Sequence, residues 1–82
     1  MTKDEIFIAI KKATLDVLPL VNEHDISADK QLFDLGANSI DRSEIVINTM
    51  QSLGLKVSPS ELGKVKNIQR LIDALYDAAS GR

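Results

Sequence analysis

Eighty-two residues with a net charge of −2, 44% hydrophobic and 27% charged, have the balance of one small folded domain spanning 1–82. A chain this short hides roughly 60% of its extended surface, enough for one thin core but for no deep catalytic cleft, so no enzyme is expected. Cysteine and tryptophan are absent, which excludes disulfides, thiolate metal sites and a thiol nucleophile. The aromatics are Phe7, Phe33 and Tyr76, too few for a base-stacking platform, and no Lys or Arg run suits a phosphate backbone. Nucleic acid is therefore not an expected partner. Neither a membrane span nor a signal peptide fits, so a cytoplasmic monomer without membrane contact is expected.

The first element reads as a helix of about four turns. Thr2 followed by Glu5 fits a capping box, and Ile6, Phe7, Ile10, Thr14, Val17 and Leu18 recur on one face before Pro19. Residues 19–38 form a long connection with apolar anchors at Leu20, Val21, Ile26, Leu32, Phe33 and Leu35. Those anchors predict an ordered loop pinned to the core, with one helical turn within 27–32. A second helix is expected from Ser39 to about Leu53, capped by Asn38 or Ser39 and ended by Gly54. Ser58-Pro59-Ser60-Glu61-Leu62 suits one short helical turn. Asn67 caps a last helix with Ile68, Leu71, Ile72, Leu75, Tyr76 and Ala79 on one side. No strand-like alternation appears. The fold class is all-α, a bundle of three longer helices and one short one around an aliphatic core.

The second helix carries two stripes. At 100° per residue, Ile45, Val46, Thr49 and Leu53 fall together, and Ile40, Ser43, Ile47, Met50 and Gly54 fall together on another side, about 120° round the helix. A domain this small cannot bury both in one core. Either the 19–38 loop covers the second stripe, or that stripe is a docking surface flanked by Asp41, Glu44 and Gln51.

Ser39 stands where a Gly-containing loop enters this helix. No Gly-x-Ser-x-Gly elbow surrounds it, and His24, the one histidine, lies in the loop with nothing to orient it, so neither is read as catalytic. Composition alone allows an ordinary helix cap. A helix N-terminus also favours an anionic group, so an exposed hydroxyl there suits phosphorylation or phosphopantetheinylation by another enzyme. Asp34 and Asp41 are read as helix-terminus and recognition groups; their spacing matches no calcium loop, and no metal is expected.

Leu32-Phe33-Asp34-Leu35-Gly36, the serine three residues after that glycine, and the order helix, long loop, partner helix, short helix, closing helix together resemble an acyl carrier protein over nearly the whole chain. The attachment tripeptide is Asn38-Ser39-Ile40 where the family most often has Asp-Ser-Leu. The resemblance implies 4′-phosphopantetheine on Ser39, attached by a phosphopantetheinyl transferase, and a partner-binding surface of Ile40, Asp41, Arg42, Ser43, Glu44, Ile47 and Met50. Gly36-Ala-Asn-Ser39-Ile-Asp-Arg42-Ser-Glu-Ile45, followed by Lys66-Asn67-Ile68, further resembles free-standing donor carriers of polyketide β-branching cassettes. That implies loading by an acyltransferase, decarboxylation of malonyl to acetyl by a ketosynthase-like enzyme, and delivery to an HMG-CoA synthase-like enzyme. Met1 opening the first helix and the Ala-Ala-Ser-Gly tail agree with a free-standing chain.

Arg42, Asn48 and Gln51 make the second helix less acidic than in fatty-acid carriers, so shape and apolar contact are expected to outweigh charge steering. Arg42 itself reads equally as a contact to a partner or to the prosthetic phosphate, or as a solvated or carboxylate-paired flank charge. Two other functions stay open: a general carrier of fatty-acid or other polyketide chains, and a helical interaction module without a covalent cofactor.

Overall fold

The computed structural model describes residues 1–57, 62, 65 and 67–81. Three helices dominate: α1 (Lys3–Val17), α2 (Ser39–Leu53) and α3 (Ile68–Ala79). The expected short helix at 58–62 lies outside the described residues apart from Leu62, which is buried in the core. No strand forms among the described residues, only an isolated antiparallel bridge between Gln31 and Asn67.

All three helices begin at a local cap, and α1 and α2 end for local reasons. Thr2 Oγ1 accepts from the Glu5 amide at 3.1 Å and caps α1. Leu18, forced out of helical geometry before Pro19, closes it by donating to Thr14 O at 2.7 Å. Asn38 and Asn67 cap α2 and α3 by accepting from the amides of Asp41 and Arg70, each at 2.8 Å. Gly54, at φ +68°, ends α2 in a left-handed turn in which its amide donates to Gln51 O and that of Leu55 to Met50 O.

The core is aliphatic. Ile6 and Ile10 of α1, Ile45 of α2, and Ile68 and Leu75 of α3 are wholly buried. Thr14 and Thr49 are buried with them at no polar cost, because each hydroxyl donates to the carbonyl four residues back (Ile10 and Ile45) at 2.7 Å. An exposed pair, Lys3 Nζ to Asp73 Oδ1 at 3.0 Å, ties the start of α1 to α3. That bond holds the Asp73 carboxyl below its ordinary pKa and the Lys3 ammonium above its own. Tyr76 and Ala79 sit at the edge of the α3 stripe and are exposed, with Lys3 over the Tyr76 ring.

The loop before α2 is ordered and differs from expectation in detail. Ile26, Leu32 and Ala37 are its buried anchors, whereas Leu20 is fully exposed and Phe33 is half-exposed. Its helical turns are 3-10 segments at Glu23–Asp25 and Leu32–Leu35, while 27–30 form a turn closed by the Lys30 amide on Ser27 O. A 3-10 turn eclipses residues three apart, so Leu32 and Leu35 face inward together and Phe33 faces out.

Candidate functional site

The site is the start of α2. Gly36 adopts φ +96°, where an L side chain is strained, and the amide of buried Ala37 donates to Leu32 O at 3.2 Å. This fixes the backbone two residues before Ser39. Asn38 and Asp41 then cap reciprocally, the Asn38 side chain taking the Asp41 amide and Asp41 Oδ2 the Asn38 amide at 3.2 Å. Asp34 does the same one turn earlier, accepting from the Gln31 amide at 3.0 Å. Both acids thus have structural partners, and among the described residues no three His, Asp or Glu gather as a metal site.

Two helix mouths with the same asparagine cap are finished differently. At α3 the first three amides all have acceptors: Ile68 to Lys30 O at 2.9 Å, Gln69 to Ala28 O at 2.8 Å, and Arg70 to the Asn67 side chain. The long loop supplies two of those three. At α2 the Asp41 amide is taken by Asn38, but those of Ser39 and Ile40 have no acceptor among the described residues. An exposed serine hydroxyl therefore sits beside two free donors at the positive end of a helix dipole. An anionic group on that exposed hydroxyl would be stabilised by those donors.

The residues expected to bind partners separate by burial. Ile40 is 73% exposed, Ser43 and Glu44 are exposed, and Ile47 is 38% exposed. Met50, at 7%, is not on the surface and leaves the expected docking stripe. The left-handed turn at Gly54 brings the chain back over this end of α2, and Leu55, bonded to the Met50 carbonyl, packs on the core cluster that holds Met50. Arg42 is half-buried and engaged: its Nη2 donates to Val65 O at 3.2 Å and its guanidinium carbon lies 4.6 Å from the Phe33 ring centre. A freely solvated flank charge does not describe it. His24 is exposed in the first 3-10 turn, where its backbone amide donates to the Asn22 side chain. Phe33, expected among the loop's apolar anchors, faces out instead, and the period of three set by Leu32 and Leu35 is the sequence signal for it.

The phosphopantetheine attachment site family matches residues 9–75, a span with Ser39 near its middle. The chain belongs to the acyl carrier proteins. It is 40% identical over 77 residues to the polyketide biosynthesis acyl-carrier-protein AcpK of Bacillus subtilis, covering 94% of each chain. It is 29% identical over 78 residues to an acyl carrier protein of Petrotoga mobilis, covering 94% of this chain and 91% of that one. Among solved structures it superposes with a TM-score of 0.84, at 33% identity, on a chain of the curacin biosynthetic pathway HMG synthase in complex with acetyl donor-ACP, covering 96% of this carrier and 99% of that chain. Members of this family are carriers rather than catalysts, and phosphopantetheine is the group they hold. No described helix of this carrier is long and apolar enough to cross a membrane.

Proposed function

We infer that this carrier holds 4′-phosphopantetheine on Ser39 Oγ and donates acetyl groups to an HMG-CoA synthase-like enzyme during β-branching of a polyketide. The observation that carries the reading is the open mouth of α2, with an exposed hydroxyl, two free amides and a bare apolar side chain, Ile40, next to it. Likeness to an acetyl-donor carrier over nearly the full chain supports the choice of cargo and partner.

When bound, the prosthetic group supplies the thiol that the protein lacks. The chain's own residues do three things. Ser39 provides the point of attachment. The Ser39 and Ile40 amides would stabilise the phosphodiester anion, and Asn38 holds the helix start with a neutral side chain. Ile40, Ser43, Glu44 and Ile47 present the docking face, on which the transferase, the loading acyltransferase, the decarboxylating ketosynthase-like enzyme and the synthase bind in turn.

Intact mass after incubation with a phosphopantetheinyl transferase tests the first step. One arm on wild type and none on Ser39→Ala is the expected result, and a modified alanine variant moves the site elsewhere. Acetyl transfer from the loaded carrier to an HMG-type synthase tests the second. A two-carbon cargo needs no shelter, so the amide spectra of holo and acetyl-holo forms should coincide away from Ser39. Large shifts at Ile10, Ile45 or Leu71 on acetylation would point to a carrier of longer chains.

A further inference from the structure

Phe33 breaks the burial pattern of its own turn. Leu32 and Leu35 face the core, while the ring between them is 48% exposed six residues before Ser39. An aromatic side chain at the surface ordinarily gains by collapsing onto neighbouring apolar atoms. Here a cation lies against one side of it, with the Arg42 guanidinium carbon 4.6 Å from the ring centre. Arg42 is itself fixed at the other end by its bond to Val65 O, so one side chain spans the loop, α2 and the segment before α3. Arg42 stands three residues after Ser39, on the same side of the helix.

The outcome is a pair of exposed large apolar side chains, Phe33 and Ile40, on either side of the serine in sequence, with the ring already against Arg42 before any partner arrives. A carrier without catalytic groups must set Ser39 against another protein's cleft. The surface around the serine is then the surface buried during transfer. Anchors that dominate such interfaces are aromatic, and they cost least when their conformation is already fixed.

We propose that Phe33 is a docking anchor for the acetyl-accepting synthase and that Arg42 is the positioning residue that holds its ring in the docking pose. The occupant is a protein surface with an apolar pocket beside the mouth of the cleft that receives the arm. This rests on the donor-carrier reading. It extends the docking face from α2 back onto the preceding loop, and it gives Arg42 a role through Phe33 rather than as a direct contact.

The test uses full-length holo carriers, acetyl-loaded and checked by intact mass: wild type, Phe33→Ala, Arg42→Lys and the double variant. Each is titrated as substrate into an HMG-type synthase, with melting temperatures measured in parallel. Phe33→Ala should raise KM at least about tenfold with kcat within about twofold, because an anchor acts on binding and not on the chemical step. Arg42→Lys keeps the charge, loses the broad guanidinium face over the ring, and should raise KM by a smaller factor. The double variant should be no worse than Phe33→Ala, since a residue acting only through the ring has nothing left to act on.

Additive effects in the double variant overturn the positioning role and make Arg42 a direct contact. Wild-type KM for Phe33→Ala overturns the anchor. Should alanine lower the melting temperature, Phe33→Gln repeats the measurement with side-chain length kept and the ring removed, and a wild-type KM there also overturns it. A wild-type carrier that accepts the arm but passes acetyl to no HMG-type synthase overturns the donor reading, and this inference with it.

Discussion

The second stripe of α2 is bare at its serine end and covered at the far end. Over the first two and a half turns Ile40 and Ile47 stand in solvent with Ser43 between them. One turn later Met50, on the same stripe, is as deeply placed as the core residues. The helix does not change; what changes is the chain around it. The turn at Gly54 lays Leu55 back toward Met50, whereas nothing among the described residues lies over Ile40. An amphipathic pattern gives only the direction in which a side chain points. Whether that direction ends in solvent or under another segment is decided by how the chain returns, and the bare half is the half that holds Ser39.

Four substitutions sharpen or break that contrast. The largest effect belongs to Ile45→Glu on the inward stripe. An unpaired carboxylate at a fully buried position costs several kcal/mol, of the order of the whole stability of a small domain, so circular dichroism should show an unfolded or nearly unfolded chain. Met50→Ala is expected to cost about 2–4 kcal/mol in a denaturant melt while the folded fraction transfers acetyl normally. A mild loss of stability with impaired transfer would mean that docking reaches the covered half after all.

Ile47→Glu should reverse the pattern of Met50. With part of its surface already wet, it should lose no more than about 1 kcal/mol of stability, while transfer to the synthase falls about tenfold, or about 1.4 kcal/mol of coupling. If it melts as badly as Ile45→Glu, both stripes are core and the comparison fails. The smallest effect is that of Gly54→Ala. Open space surrounds the position, so the only penalty is a left-handed backbone at φ +68°, worth about 1 kcal/mol. Loosened packing should appear as line broadening at Met50 and Leu55, with Ile40 unaffected.

Much of the molecule was legible from local chemistry. The caps Thr2, Asn38 and Asn67, the stops at Pro19 and Gly54, and the inward faces of α1 and α2 follow from side-chain hydrogen bonding, ring geometry and a period of 3.6. The loop anchors were half legible. Ile26 and Leu32 are buried as their apolarity suggests, but Leu20 and Phe33 are equally apolar and are not. Hydrophobicity states a preference, and a chain with one thin core has too little interior to grant every such preference. The expected place of Ser39 at the first position of α2 is the one the structure gives it, because a glycine turn, a cap and a helix start are all local events.

By itself, then, the sequence determined where the helices start and stop, which faces carry aliphatic residues, and that a serine stands at the head of α2. Which helix mouth stays open among the described residues depends on how the long loop packs. Asn38 and Asn67 are the same cap in the same geometry, and the loop carbonyls of Ala28 and Lys30 fill the mouth of α3 while leaving the amides of Ser39 and Ile40 unclaimed. Those bonds join residues some forty positions apart, and the Arg42 bridge likewise joins Phe33 of the loop to Val65 before α3. Local propensity acts over a few residues, so contacts of this range exist only once the helices have packed.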